Sequence, residues 1–184
     1  MSSLLSLAQW ARALRASDVP DDVLRLARLQ HVGAAGAVRA SAATPVGAAL
    51  LASLPAGTAP VVGGGATTPA AAAELHAGLS ALHEYDDYLL AGRAGLGSVS
   101  AAWAGAEGRS VEDLLLATIV GNEIGGRVGL ALLLGPRHTR SDTFVPAAAG
   151  AAAAAWLAGL DAKGTARAVN IALEQGERIA PAEA

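Results

Sequence analysis

The sequence concentrates its reactive side chains in one short stretch. Residues 83–88 read His-Glu-Tyr-Asp-Asp-Tyr and hold both tyrosines of the chain, three of its 16 acidic residues and one of its four histidines. Neighbouring carboxylates repel one another, so Glu84, Asp86 and Asp87 are candidates for a carboxyl that keeps its proton late and works as a general acid or base. Tyr85 and Tyr88 add hydroxyls that both donate and accept hydrogen bonds. A solvated helix end is the plain alternative, although acids there meet the unfavourable end of the helix dipole. His83 and Asp87 stand four residues apart and His76 precedes His83 by seven, a spacing that puts all three on one helical face. No third or fourth ligand follows at a recognisable spacing, so no metal is expected.

Other polar groups have simpler readings. In GNEIGGRVG (121–129), Glu123 and Arg127 are spaced for an i, i+4 ion pair. Gly121, Gly125 and Gly129 share one helical face and would admit a second helix closely, in the core or at a subunit contact. His31 lies on an apolar stripe and reads as a core-edge histidine. Arg137, His138 and Arg140 form a small basic cluster that could meet a carboxylate, with surface loop as the default. Gly63 to Gly65 lack the Lys-Ser/Thr of a phosphate loop and read as a turn.

These groups must be held by helices. Leu4, Leu7, Ala8, Ala11 and Leu14 form a helical stripe over residues 3–16. Ser17 or Asp18, with Pro20 in the first turn, should cap a second helix running to about Arg39. Thr44-Pro45 opens a third that ends before Pro55. Val61-Val62 is a short extended candidate. Thr68-Pro69 opens a helix to about Tyr85, residues 86–97 read as loop, and Ser98 is the expected cap of a short helix to Ala106. Ser110 and Asp113 form a capping box before a long apolar helix that stops near Leu134 at Gly135-Pro136. Residues 146–160 and 161–174 complete seven or eight helices.

Composition agrees. Alanine occupies 47 of 184 positions, glycine 22, and hydrophobic residues make up 53%. So much alanine favours closely packed helices, and scarce β-branched and aromatic residues argue against a sheet protein. The expectation is an all-α fold in a single helical domain over residues 1–184. A net charge of −3 with no basic run argues against nucleic acid. Without cysteine there is no disulfide or thiolate nucleophile. The N-terminus lacks the pattern of a signal peptide, and the uncharged stretch 143–160 reads as a packed helix rather than a membrane span. A cytoplasmic protein is expected.

Three segments together carry a family resemblance. VVGGGATTPAAAAELHAGLSALHEYDDYLLAGRAGLGS, AEGRSVEDLLLATIVGNEIGGRVG and FVPAAAGAAAAAWLAGLDAKGTARAVNIA resemble the MmgE/PrpD family, over most of the chain. That family includes 2-methylcitrate dehydratase, cis-aconitate decarboxylase and iminodisuccinate epimerase. The resemblance implies part of a large helical domain, here without the smaller lid domain. It also implies proton abstraction with elimination, decarboxylation or epimerisation of small polycarboxylates, without a required metal or other cofactor. EYDDYLLAGRAGLGS stands where the family often reads DFDDTHLAGRAHPGS. The leading acid is Glu84, Asp86-Asp87 match, a threonine becomes Tyr88, a histidine becomes Leu89, and the active-site histidine and proline of HPGS become Gly95 and Leu96. A second histidine is replaced by Val145, and the tyrosine of a GYE motif by Asn122.

The resemblance and the local chemistry together predict a site with Glu84, Asp86, Asp87 and Tyr88 as catalytic groups, Glu84 preferred. His83, Tyr85, Arg93, Ser98 and Asn122 would bind substrate, and Gly95 would enlarge the pocket. The expected function is a divergent lyase or isomerase, cofactor-independent, acting on a small organic substrate by elimination, isomerisation or cyclisation, in a specialised biosynthesis. The alternative is a non-catalytic partner subunit or pseudoenzyme. Association as a homodimer or with a complementary protein is expected either way.

Overall fold

The computed structural model describes residues 3–134 and 141–179. Among them are eight α-helices: α1 (Ser3–Ala13), α2 (Asp21–Ala42), α3 (Pro45–Ala52), α4 (Pro69–Ala81), α5 (Ala94–Ala104), α6 (Val111–Leu134), α7 (Ser141–Leu157) and α8 (Ala162–Ile179). A two-stranded antiparallel ribbon, β1 (Ala59–Pro60) and β2 (Ala66–Thr67), joins α3 to α4. The all-α expectation holds.

Several helix starts follow from capping chemistry. The Thr44 and Thr68 hydroxyls accept from the backbone N–H groups of Gly47 (3.1 Å) and Ala71 (3.3 Å), each with proline at the first helical position. Ser110 and Asp113 cap α6 reciprocally. The Asp113 N–H donates to the Ser110 hydroxyl at 3.1 Å, and the Ser110 N–H donates to Asp113 Oδ2 at 3.0 Å. The Ser110 N–H and the Ser110 hydroxyl (2.9 Å) both donate to the Asp113 carboxylate, and these two hydrogen bonds lower its pKa.

α7 packs against α5, α6 and α8, and the core gathers there. Leu115, Leu116, Ile119, Val120 and Ile124 of α6 meet Ala148 and Ala152 of α7 and Val169 of α8. α6 is long and apolar enough to cross a bilayer by length and composition, but much of it lies inside this core. The helices approach closely because small residues face each other. A Cβ at Gly125 would stand 2.8 Å from Ala149 Cβ, and one at Gly121 would stand 2.7 Å from the Ala149 carbonyl. The glycine face of α6 is thus a core crossing rather than a subunit contact. Glu123 and Arg127 form the expected pair at 2.8 Å.

Several boundaries differ from the sequence reading. α2 starts at Asp21 with Pro20 as N-cap, while Asp18 accepts from the Arg15 N–H (2.9 Å) and closes its own short turn. The ribbon strands fall on either side of Val61-Val62, and Gly63 to Gly65 make the turn with φ of +106°, +115° and +89°. α7 begins five residues before Pro146, because Phe144 and Val145 are buried in the first turns and that burial offsets the hydrogen bond proline removes. α5 begins at Ala94, not after Ser98, so Ser98 lies inside a helix and caps nothing. The Gly135-Pro136 stop and the cluster Arg137, His138 and Arg140 lie outside the described residues.

Candidate functional site

α4 ends at Ala81, earlier than expected, and the chain turns through residues 82–84. The Glu84 N–H donates to the Ala81 carbonyl (3.0 Å), and Glu84 itself is left-handed with φ +55°. Residues 85–88 then run without helical structure to a tight reversal closed by the Leu89–Gly92 bridge. His83 and Asp87 therefore do not share a helical face. Among the described residues no group of three or more His, Asp or Glu side chains could hold a metal ion.

The turn separates the acids. Glu84 points outward, its side chain 76% exposed, and pairs with Arg93 at 3.3 Å. The burial that its preferred role required is absent. Asp86 is the opposite: its side chain is 4% exposed, and Arg93 Nε lies 3.4 Å from Oδ2. Arg93 Nε donates to the Tyr88 hydroxyl oxygen at 2.9 Å, with the guanidinium 5.2 Å from the Tyr88 ring centroid. Hydrogen bonds to Tyr88 and then Glu84 raise the pKa of Arg93 and hold it charged. His83 is exposed and stacks loosely on Tyr85, with ring centroids 5.6 Å apart.

Asp87 is held by a chain of polar side chains from three helices. Ser98 Oγ donates to Asn122 Oδ1 (2.7 Å), Asn122 Nδ2 donates to Gln30 Oε1 (2.8 Å), and Gln30 Nε2 donates to Asp87 Oδ2 (2.6 Å). Every donor points toward the carboxylate. A Cβ at Gly95 would run into Asp87 Oδ1 and stand 2.7 Å from Gln30 Nε2. Gly95 lines the cavity beside this network, and a side chain there would displace the Asp87–Gln30 pair.

A cavity of about 520 Å³ opens beside this network, between α2, α6 and the 85–89 strap. Tyr85, Asp86, Asp87, Tyr88 and Asn122 line it, together with Gln30. His83, Glu84, Arg93 and Ser98 do not. Gln30 was missed by sequence reasoning. Its signal is position: it sits three residues after buried Ala27 and four before half-buried Ala34, on the inward face of α2.

A second polar cluster, in the core, is structural. Trp103 Nε1 donates to His31 Nδ1 (2.9 Å), so the ring proton lies on Nε2 and meets Thr118 Oγ1 at 2.9 Å. The Val62 N–H donates to His76 Nε2 at 3.0 Å. Both imidazoles stand edge-on to Trp103, at centroid distances of 5.7 and 5.2 Å. Burial lowers both pKa values to about 4, so both rings are neutral near pH 7. His76, buried here, and His83, exposed beyond α4, cannot act together.

A family model described as the MmgE/PrpD N-terminal domain matches residues 5–182. No curated protein and no solved structure matches the chain.

Proposed function

The chain belongs to the MmgE/PrpD family, and from that premise we propose that the cavity beside α2 is an acid–base site for a small organic molecule. Asp87 is the group that takes and returns a proton. The observation that carries this reading is the hydrogen-bond chain from Ser98 through Asn122 and Gln30, which ends on its carboxylate at 2.6 Å. Side-chain amides do not relay protons readily, so Ser98, Asn122 and Gln30 are positioning residues. They hold one carboxylate oxygen and leave the other lone pairs for a substrate. Tyr88 is the complementary acid. Arg93 donates to its oxygen, so its own proton is free to be given and the charge left behind meets a guanidinium. In an elimination, Asp87 receives a proton from carbon while the leaving group takes the phenolic proton. Isomerisation and cyclisation use the same two transfers.

Deuterium wash-in from D2O into a panel of small carbonyl and hydroxy compounds, read by mass spectrometry, tests this. Asp87→Asn should lower the rate about 100- to 10,000-fold with an unchanged helical spectrum. Equal rates in the native protein and the variant would remove Asp87 from the chemistry.

A second reading rests on exposed apolar side chains. Leu26, Leu29 and Val32 of α2 are 55%, 54% and 69% exposed, and Leu133 and Leu134 at the end of α6 are 57% and 81% exposed. Such a surface suits a non-catalytic subunit that pairs with a second copy or with a complementary protein. A stable assembly by light scattering, with no wash-in into any compound, favours this reading.

A further inference from the structure

We infer that α2 is the seam of a two-fold homodimer, in which a second copy of this chain packs its own α2 antiparallel against it. Such a dimer stands independently of any acid–base chemistry in the cavity.

α2 carries two stripes. One faces the core through buried Ala27, Ala37, Val38 and Ser41. The other lies on the opposite side. Asp22, Arg25, Leu29, Val32, Gly36 and Arg39 follow one another at alternating spacings of three and four, the pattern of positions a and d in a coiled coil, and all six are exposed. Leu29 and Val32, at its centre, are 54% and 69% exposed.

The order of residues along this seam is complementary to its own reverse. In an antiparallel pair each a position meets a d position. Asp22 then meets the partner's Arg39, Arg25 meets the partner's Gly36, and Leu29 meets the partner's Val32. The two-fold axis repeats each pair, so an apolar centre is closed at both ends by opposite charges. Asp21 precedes Arg39 by 18 residues, about five helical turns, and so lies on the same flank, where it adds a second carboxylate facing the partner's guanidinium. A parallel pair would instead set Asp22 on Asp22 and Arg39 on Arg39. These charges are uncommitted within the chain. Among the described residues Arg25 and Arg39 have no ion pair, and Asp22 accepts only from the N–H of its neighbour Val23 at 3.0 Å.

The glycines of α2 are a separate observation. Glycine inside a helix is destabilising relative to alanine. A Cβ at Gly33 or Gly36 would meet nothing within 4 Å, unlike one at Gly121 or Gly125, so packing within the chain does not call for them. In the dimer Gly36 leaves room for the stem of the partner's Arg25, and Gly33 receives the partner's Leu26. Leu26, Leu29 and Gly33 also wall the cavity, so the second copy runs along the rim of the candidate site.

The chain has no cysteine, so Asp22→Cys and Arg39→Cys proteins each carry a single thiol. In the antiparallel dimer position 22 faces position 39 of the partner, while the two copies of position 22 stand about 26 Å apart, beyond the reach of a disulfide. Mild oxidation should link the two proteins when they are mixed and neither alone. In sedimentation equilibrium the native chain should be a dimer, and Asp22→Arg should weaken it about tenfold or more by setting guanidinium against guanidinium at both ends. The double variant Asp22→Arg, Arg39→Asp should recover native dimer affinity, which a merely structural role for either residue would not produce. A monomeric native chain, linkage of Asp22→Cys alone, a dimer with no linkage in the mixture, or a folded Asp22→Arg protein of native dimer affinity each overturns the inference. If the charge variants do not fold, the cross-linking pattern decides. Deuterium wash-in by a chain that proves monomeric removes the dimer and leaves the acid–base reading standing, and a cross-linked dimer without wash-in does the reverse.

Discussion

Lowering the pH from 6.5 to 4 protonates two histidines in the unfolded chain that stay neutral in the folded one. His31 and His76 each have a folded-state pKa of about 4 against 6.5 when exposed, because burial disfavours the charged ring. The geometry gives the same answer. His31 Nδ1 receives the Trp103 indole proton and His76 Nε2 receives the Val62 amide proton, so protonating either nitrogen sets a donor against a donor. Below pH 6.5 the unfolded chain binds the additional protons, so stability falls as pH falls toward 4 and levels off beneath that. The displacement corresponds to about 3 kcal/mol per ring at full effect. Both rings contact Trp103, so the two losses are not independent, and together they reach about 3–6 kcal/mol. That is comparable to the whole stability of many domains, about 5–15 kcal/mol. Asp113 acts in a different window. Its pKa is lowered from 3.8 by hydrogen bonds from Ser110, so its contribution is present above 3.8 and lost as pH falls through the folded value. Urea unfolding followed by tryptophan fluorescence and circular dichroism, at fixed pH steps from 7 to 4, measures the slope. A His31→Gln, His76→Gln double variant should lose most of it. Equal unfolding free energies at pH 7 and pH 4.5 would refute the reasoning.

Two glycines separate site effects from fold effects. Gly95→Ala places a methyl against Asp87 Oδ1 and Gln30 Nε2, the ends of two side chains that can move aside. The expected outcome is a melting temperature within a few degrees of native, together with displaced Gln30 amide resonances and slower deuterium wash-in. Gly97→Ala meets backbone instead, the Pro146 carbonyl and the Gly150 nitrogen of α7. It should cost about 1–3 kcal/mol in urea unfolding, because two helices must separate to admit it.

Those two positions also explain where the sequence was legible and where it was not. Capping chemistry is local, so Thr44, Thr68 and the Ser110–Asp113 box marked their helix starts from residue type alone. Gly95 and Gly97 have the same local signature as loop glycines, and they led the reading to open α5 five residues late. What they serve is non-local: one faces the Asp87–Gln30 pair and the other faces the backbone of α7. The same distinction applies to Pro146, which ends or begins helices in isolation but sits inside α7 because buried Phe144 and Val145 extend it backward.

At the site, the HEYDDY stretch was visible because its composition is unlike the rest of the chain, but the separation of its acids was not. Whether Glu84, Asp86 or Asp87 faces the cavity depends on where α4 stops and on a left-handed residue at 84. Gln30 lies 57 residues from Asp87 and carries no motif. Position 95 shows why residue-by-residue comparison misleads in such a case. The family resemblance puts a histidine there, and its replacement by glycine reads as the loss of a proton-transfer group and a gain of empty space. In the folded chain the Asp87 carboxylate occupies that space, over the first turn of α5, where the helix dipole favours a negative charge. A side chain at 95 would exclude the carboxylate from its present position. Removing one ionisable group and seating another are thus the same structural event.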